Sequence, residues 1–220
     1  MKIVVFGATG ATGRHVVDQA LSVGHEVIAV ARHPEQVTPR PNLIARAGNV
    51  LDAASLRDSC RDADAVISCI GPRNNLNASA IMNNLRPGTT MSVGTAHMVA
   101  AAEAAGVRRF VFQSGLGLSD GCELSRTDRW ILRLLWRPMF AAAICDKAEG
   151  ERILRASSLD WVIVRPAVLQ DAPATANYMA GPNTRVALLS ALPFADCAAC
   201  LLRVVSESAW TRQVVNIGHS

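Results

Sequence analysis

The sequence predicts a doubly wound α/β fold, in which helices cover both faces of a parallel sheet. Short apolar segments rich in Val and Ile alternate with helical segments along most of the chain. Strands that are buried on both faces need such continuous apolar runs, whereas half-exposed strands alternate polar and apolar residues. The length of 220 residues and the apolar content of 50% suit one such domain. We therefore expect a single domain over residues 1–220, with a small C-terminal elaboration from about residue 166.

The first half of the chain is predicted to contain four strands and two helices. The first strand, Ile3–Phe6, stops at glycines, and a helix over Ala11–Val23 continues until Gly24. The other elements of this half are the strands His25–Ala31, Leu43–Ala47 and Ala65–Ile70 and a helix over Ala53–Cys60. Parallel strands joined through helices imply right-handed crossovers, which build a doubly wound sheet.

The second half continues this alternation as far as Pro166. An alanine-rich helix capped by Thr89 or Thr90 ends near Ala105, and the strand Arg109–Gln113 follows it. The remaining elements are a helix over Ala148–Ala156, a strand over Trp161–Val164, a helix near Ala195–Val205 and a last strand over Gln213–Ile217. The looser pattern beyond Pro166 is the predicted elaboration.

Composition and charge exclude several classes of protein. The net charge of +4 is dispersed and aromatic residues are only 5%, which disfavours nucleic-acid binding. No apolar stretch approaches the roughly 20 residues that span a bilayer, so no transmembrane segment is expected. The six cysteines lack the spacing of a disulfide scaffold, which favours a cytoplasmic location. Cys197-x-x-Cys200 has no second ligand pair, so we expect it to pack in the core and expect no metal site.

A glycine-rich loop, Gly7–Gly13, follows the first strand and opens the first helix. Gly7 permits a tight turn, Gly10 lets the backbone approach a pyrophosphate, and Gly13 allows close packing of helix on strand. The helix N-terminus then directs free N–H groups at the phosphates. An ordinary strand-to-helix turn is the alternative. The predicted contacts of a dinucleotide here are Gly7, Thr9, Gly10, Ala11, Thr12, Gly13 and Arg14.

The end of the second strand indicates which dinucleotide binds. An acidic residue there would bind the ribose 2′-hydroxyl of NAD, but this chain has Arg32. A guanidinium group favours a 2′-phosphate, which it can contact through two hydrogen bonds. The prediction is therefore NADP(H), and the alternative is that Arg32 is a solvated loop residue.

Several motifs together resemble one known family. They are Gly7–Gly13, Arg32, Gly48-Asn49-Val50, Gly71-Pro72-Arg73-Asn74 and Arg165-Pro166. This pattern is similar to the atypical short-chain dehydrogenase/reductases of the NAD(P)H-binding, NmrA-like type, and within it to the flavin-reductase (biliverdin-IXβ-reductase) branch. The resemblance implies a Rossmann-like fold and covers nearly the whole chain except about Leu118–Ile144.

The resemblance also implies a role for each matching residue. The family usually has aspartate where Asn49 stands, and the flavin-reductase branch commonly has histidine where Val168 stands. The implied contacts are Asn49 and Val50 at the adenine, Ile70, Gly71 and Arg73 at the pyrophosphate and nearby ribose, Ser114 beside the nicotinamide, Lys147 at the nicotinamide ribose, and Pro166, Ala167 and Val168 by the carboxamide.

The usual catalytic tyrosine of the wider superfamily is missing. Typical members use Tyr-x-x-x-Lys, but Ala143 precedes Lys147 by four residues, and the single tyrosine is Tyr178. Hydride transfer to a planar conjugated acceptor, such as a flavin or quinone, is compatible with the loss of this tyrosine because the acceptor delocalises the negative charge. Lys147 and Ser114 are the candidate catalytic residues, with Ser114 either a hydrogen-bond donor or a small residue tolerated there. The alternative function is a non-catalytic NADP(H)-sensing regulator.

A basic and apolar segment over residues 126–137 allows more than one interpretation. Arg126, Arg129, Arg133 and Arg137 recur beside Trp130, Ile131, Leu134 and Leu135. We favour a core-packed helix with a solvated basic face, and a substrate lid or a membrane-surface contact are the alternatives. His15 and His97 have no evident partners. The sequence predicts a small-molecule acceptor but leaves its identity and the oligomeric state open.

Overall fold

The computed structural model describes residues 1–71, 88–118, 124–136 and 141–219. These residues form an eight-stranded sheet with helices on both faces, in the strand order β3-β2-β1-β4-β5-β6-β10-β8. The sheet strands are β1 (Lys2–Phe6), β2 (Glu26–Ala31), β3 (Leu43–Ala47), β4 (Ala65–Ser68), β5 (Arg109–Gln113), β6 (Asp160–Pro166), β8 (Met179–Gly181) and β10 (Gln213–Gly218). The predicted doubly wound, Rossmann-like fold is confirmed.

Seven of these strands run parallel, and β8 pairs with β10 in the antiparallel sense. A separate parallel pair joins the short strands β7 (Leu169–Gln170) and β9 (Leu192–Pro193) within the C-terminal part. The strand order reverses at β1, whose neighbours are β2 and β4. Ligands of open α/β sheets bind at such a reversal, beyond the carboxyl ends of the strands.

Helices cover the two faces of the sheet and enclose two apolar clusters. The helices are α1 (Ala11–Ser22), α2 (Ala53–Leu56), α3 (Thr90–Ala104), α4 (Arg126–Ile131), α5 (Ala141–Ala156) and α6 (Phe194–Ser206). One cluster contains buried residues of α1 and α6, and the other contains buried residues of α3 and α5. Both take alternate residues of the same strands, for example Val5 and Val4 of β1, as burial on both faces requires.

Two predicted helices have different bounds in the structure. The helix expected over Ala53–Cys60 ends at Leu56, because Ser59 bonds through its hydroxyl to the Leu56 carbonyl and competes with the helical pattern. The helix expected from Ala148 begins at Ala141, since the preceding residues are mostly good helix formers.

The segment after residue 124 differs from the favoured interpretation in part. It forms α4 and then a wider π-helical stretch, Leu132–Trp136. Leu132 is buried in a third small cluster with Leu116, Ala167 and neighbouring residues, as core packing predicts. Trp130, Leu134 and Leu135, by contrast, are each more than half exposed. Arg137 lies outside the described residues.

Asp196 anchors the C-terminal part to α6. It is 1% exposed, and its carboxylate accepts hydrogen bonds from the amides of Thr175 and Ala176 and from the Thr175 hydroxyl. Burial raises the pKa of Asp196, but these hydrogen bonds outweigh it, so the net pKa lies below the usual 3.8. The carboxylate therefore stabilises the fold above that pH.

We expect Asp196→Ala to lower the free energy of unfolding at pH 7 by about 3 kcal/mol, because charged hydrogen bonds are lost and their amides stay buried. The wild-type protein should lose this contribution as the pH falls below about 3.8 through the depressed pKa, so the difference between the two proteins should shrink there. Urea unfolding at several pH values measures it. Asp18→Ala, which removes an exposed pair with Arg40, is the control and should cost less than about 1 kcal/mol. Equal effects of both changes would contradict the prediction.

Within the described ranges, no helix combines the length and apolar character needed to cross a bilayer.

Candidate functional site

The glycine loop between β1 and α1 has the backbone geometry of a phosphate cradle. Gly7 has a φ of +77°, and its carbonyl accepts a hydrogen bond from the Gly10 amide at 2.9 Å. A Cβ on Gly13 would lie 2.1 Å from the Gly7 oxygen, so only glycine fits there. No described side chain caps α1 at Gly10, which leaves the first amides of the helix for a ligand. The loop therefore fits the pyrophosphate of a dinucleotide, with Thr9, Ala11 and Thr12 along its length.

Arg14 directly follows this loop, and Arg32 follows β2, the strand that pairs with β1. Arg14 folds back, and its Nε donates to the Thr9 carbonyl at 2.9 Å. Arg32 follows β2 directly and is exposed, without a hydrogen bond or ion pair to any described residue. The next side chains, His33 and Glu35, pair with each other at 3.2 Å. Arg32 is therefore a cation at the carboxyl edge that a 2′-phosphate could bind.

Asn49 and Val50 follow β3 in a loop that is fixed from two sides. The Asn49 side-chain oxygen accepts from the Leu51 backbone amide at 3.1 Å, and the backbone amide of Asn49 donates to the Ser55 hydroxyl. The Val50 carbonyl lies 2.9 Å from Nδ1 of His97 on α3. His97 thus has a backbone partner 47 positions away, which no pattern in the sequence could reveal.

The end of β4 borders the glycine loop. A Cβ on Gly7 would lie 3.0 Å from the Cys69 carbonyl and 3.1 Å from the Ile70 side chain. Among the described residues, no atom lies within 4 Å of the position of a Cβ on Gly71. Ile70 and Gly71 therefore lie at the carboxyl edge, where the resemblance implies pyrophosphate contacts. Arg73, which was assigned the same role, lies outside the described residues.

Ser114 and Lys147 come together at the end of β5. Ser114 is 3% exposed and its amide donates to the Val164 carbonyl of β6 at 2.7 Å. Nζ of Lys147, on α5, donates to the Ser114 carbonyl at 3.3 Å. These two predicted residues are thus neighbours although they are 33 positions apart.

The ammonium group of Lys147 is close to its titration point at neutral pH. Desolvation lowers the pKa of Lys147 from 10.5 to about 8, against the opposing effects of the carboxylates of Glu151 and Asp146. Asp146 also accepts hydrogen bonds from the Met91 and Ser92 amides and thereby joins α5 to the start of α3. The backbone around Lys147 is therefore held in place, while the Lys147 side chain can gain or lose its proton.

Glu151 is a site residue that the sequence interpretation missed. It lies one helical turn after Lys147 on α5, is 1% exposed, and accepts a hydrogen bond from the Ser114 hydroxyl at 2.6 Å. Its carboxylate also pairs with Arg165 of β6 and Arg155 of α5. The spacing Lys147, Glu151, Arg155 on one helix face was the available signal. Ser114 therefore donates its proton into the protein rather than toward a ligand.

Pro166 and Val168 lie at the end of β6, where the third cluster begins. Pro166 is buried and in register with Ile217 of β10. The Val168 carbonyl accepts from the Leu192 amide at 2.7 Å, and Ala167 packs in the third cluster. Both predicted residues are thus at the same edge of the sheet as Ser114.

Tyr178 cannot take the place of the missing tyrosine. It packs against the cluster that contains α1 and α6 residues, whereas α5, with Lys147, contributes to the cluster on the other face. Ala143 occupies the position one turn before Lys147. Cys197 and Cys200 are buried in α6, and desolvation raises the pKa of both thiols, as the core-packing prediction requires.

Comparison with known proteins agrees with this geometry. A family model described as NAD(P)H-binding matches residues 7–208. An uncharacterized protein of Mycobacterium tuberculosis is 26% identical over 224 residues, which cover 95% of this chain and 25% of that protein. A 3-diazoavenalumate denitrifying reductase of a Streptomyces species is 28% identical over 179 residues, covering 75% of this chain and 55% of that reductase. The chain therefore spans about a quarter of the length of the mycobacterial relative.

Solved structures of other proteins have the same fold. ChuY, an anaerobillin reductase from Escherichia coli O157:H7, has a TM-score of 0.79 at 23% identity and covers 100% of this chain and 97% of its own. A short-chain dehydrogenase/reductase from Veillonella parvula DSM 2008, in complex with NADP, has a TM-score of 0.77 at 17% identity, with coverages of 99% and 94%.

Proposed function

Because the chain belongs to the NAD(P)H-binding family, we propose that it is an NADP(H)-dependent reductase that transfers hydride to a planar conjugated small-molecule acceptor of the flavin or quinone type. The observation that carries the proposal is the pairing of Ser114 and Lys147 at the carboxyl edge, with Ala143 in place of a tyrosine. The site keeps a cation beside the reacting position but has no phenol to protonate an alkoxide.

Along the carboxyl edge of the sheet, successive groups of residues would bind successive parts of the dinucleotide. The glycine loop and α1 would bind the pyrophosphate, Arg32 the 2′-phosphate, and Asn49 and Val50 the adenine. Lys147, Ser114, Pro166 and Val168 would surround the nicotinamide end. When bound, the cofactor supplies the hydride, and the protein contributes binding, orientation and electrostatics.

Lys147 would supply positive charge and a proton as negative charge builds up on the acceptor. A pKa of about 8 makes its ammonium a better acid than an ordinary lysine, whose pKa is near 10.5. A general acid is most effective when its pKa lies near the working pH. A conjugated acceptor delocalises the charge, so Lys147 would suffice without the tyrosine.

The relatives support this proposal at the level of reaction type. A Streptomyces reductase and ChuY are both reductases by name, and the Veillonella neighbour binds NADP in its crystal. The choice of NADP(H) over NAD(H) rests on Arg32, with Arg14 as the second positive group near the glycine loop.

Steady-state NADPH oxidation with FMN, FAD, riboflavin and a panel of small quinones tests the proposed function. We expect turnover with at least one of these acceptors and none with simple ketones or aldehydes. NADPH binding without turnover on any acceptor would overturn the reductase and favour the alternative, an NADP(H)-sensing regulator, because the missing tyrosine fits that function equally well.

Replacing Arg32 with serine should weaken NADPH binding by about 10- to 100-fold, since charged hydrogen bonds to the 2′-phosphate are lost. The dissociation constant for NADH should stay unchanged. Titration of intrinsic fluorescence with both cofactors measures the two constants. Arg108→Ser is the matched control, because Arg108 precedes β5 at the opposite edge of the sheet and pairs there with Asp160. Equal loss of affinity for both cofactors would argue against a 2′-phosphate contact.

A further inference from the structure

Glu151 is a buried charged side chain with partners on three elements. Its carboxylate oxygens accept hydrogen bonds from Ser114 Oγ at 2.6 Å, Arg165 Nε at 3.1 Å, Arg165 Nη2 at 2.8 Å and Arg155 Nη2 at 2.7 Å. Burying a carboxylate is unfavourable unless it is paired and hydrogen-bonded, and this one is satisfied on both oxygens. An apolar side chain would fill such a position without that penalty, so stability alone does not explain the glutamate.

Arg165 holds the Glu151 carboxylate from the sheet. Its side chain is 13% exposed and contacts both carboxylate oxygens in a two-bond arrangement. Arg165 lies in β6 in register with Asn216 of β10, so strand pairing fixes its backbone. Such two-bond pairs restrict geometry as well as adding energy. The carboxylate is therefore held at one place and one angle relative to Ser114.

The hydrogen bond to Glu151 leaves the Ser114 hydroxyl without a proton for any other partner. A serine hydroxyl has one proton to donate and two lone pairs that accept, while a carboxylate only accepts. Because Ser114 donates its single proton to Glu151, its oxygen offers only lone pairs to any further group. The same residue's carbonyl accepts from Lys147, which ties the backbone at this point to α5.

We propose that Glu151, held by Arg165, is a positioning residue that makes Ser114 a hydrogen-bond acceptor for an N–H or O–H group of the bound ligand. This inference rests on the proposed function, which sets Ser114 beside the nicotinamide. The donor group belongs either to the cofactor, whose carboxamide carries an NH₂, or to the acceptor molecule. A hydride-accepting substrate that has no N–H or O–H group at this point would then form no hydrogen bond with Ser114.

A double-mutant cycle tests the inference. Ser114→Ala and Glu151→Gln should each weaken ligand binding by about 10-fold, the usual worth of one hydrogen bond to a fixed partner. The double variant should bind no more weakly than Ser114→Ala, because Glu151 acts through that hydroxyl. Coupling in the dissociation constant of NADP(H) would place the donor on the cofactor. Coupling only in the KM of the acceptor would place it on the acceptor.

Glu149→Gln is the matched control, since Glu149 is on the same helix and pairs with Arg152, but at the surface. It should leave both constants unchanged. Because Glu151→Gln leaves Arg165 without its charged partner and could impair folding, a second cycle uses the neutral pair Glu151→Gln/Arg165→Gln in place of Glu151→Gln alone. Thermal unfolding of every variant separates loss of fold from loss of binding.

Additive effects on both constants in either cycle would overturn the inference and leave Glu151 with a structural role. The dissociation constant of NADP(H) needs no turnover. Coupling in that constant, in a protein that reduces no acceptor, would therefore refute the reductase while supporting the positioning of Ser114.

Discussion

Replacing Lys147 with methionine should lower kcat for NADPH-dependent reduction by about 100-fold or more, within the range that general acid catalysis contributes. The Lys147 ammonium group donates a hydrogen bond to the Ser114 carbonyl. It can release a proton near neutral pH because desolvation lowers its pKa to about 8. Methionine keeps the length and apolar stem of lysine but removes the charge and the proton. Steady-state kinetics with the best acceptor measures the loss.

The kcat of the wild-type protein should depend on pH through the Lys147 proton. As the pH rises through about 8, Lys147 loses its proton, so kcat should fall along an alkaline limb in the wild-type protein. Lys147→Arg keeps a cation that stays protonated, so its kcat should be low without that limb. Lys2→Met is the control, because Lys2 is the other lysine of the chain and pairs with Glu26 at the opposite edge. A Lys147→Met variant with the wild-type rate would exclude Lys147 as the acid.

The free energy of unfolding should rise with pH because of the titration of Lys147. The folded protein releases the Lys147 proton near pH 8, whereas the unfolded chain keeps it until about 10.5. Between these values the unfolded state binds more protons, so the free energy of unfolding should rise with pH. The rise should be absent in Lys147→Met, which separates the titration of this residue from that of other groups.

The sequence predicted the sheet well because strands buried on both faces leave a local signal. Leu43–Ala47 and Arg109–Gln113 have the same bounds in the sequence prediction and the structure. Helix ends were less accurate, since they depend on side-chain bonds such as that of Ser59 to the Leu56 carbonyl. The resemblance located the carboxyl edge. Periodicity alone could not show that Trp130 is exposed and does not belong to the core.

The candidate site was predictable where it depends on short motifs and not where distant segments meet. The glycine loop and Arg32 follow from local residue types at strand ends. Glu151 meets Ser114 and Arg165 across separations of 37 and 14 residues, which only the packing of α5 on the sheet determines. The direction of the Ser114 proton was likewise invisible in the sequence. The hydrogen bond from Ser114 to the buried Glu151 carboxylate disfavours the donor role that the sequence left open for Ser114.

Replacing Gly13 with alanine should abolish tight NADP(H) binding. The new Cβ would lie 2.1 Å from the Gly7 oxygen and 2.8 Å from the Gly7 carbonyl carbon, which are backbone atoms that cannot rotate away. The loop must therefore move from α1, and the amides that converge on the pyrophosphate lose their alignment. Losing one or two charged hydrogen bonds should weaken binding by about 100-fold or more. The forced movement should also cost about 1–3 kcal/mol of folding stability.

Calorimetric titration with NADPH and thermal unfolding of the same samples measure the two effects separately. Gly88→Ala is the matched control, because the contact that its Cβ would make with the described residues is an ordinary one, 3.9 Å from the Asp146 carboxylate. If Gly13→Ala kept wild-type affinity, the pyrophosphate could not depend on the close approach of α1 to Gly7. Since the α1 N-terminus is the anion site that this fold offers at its strand-order reversal, the proposed mode of cofactor binding would then be wrong, and not merely one of its contacts.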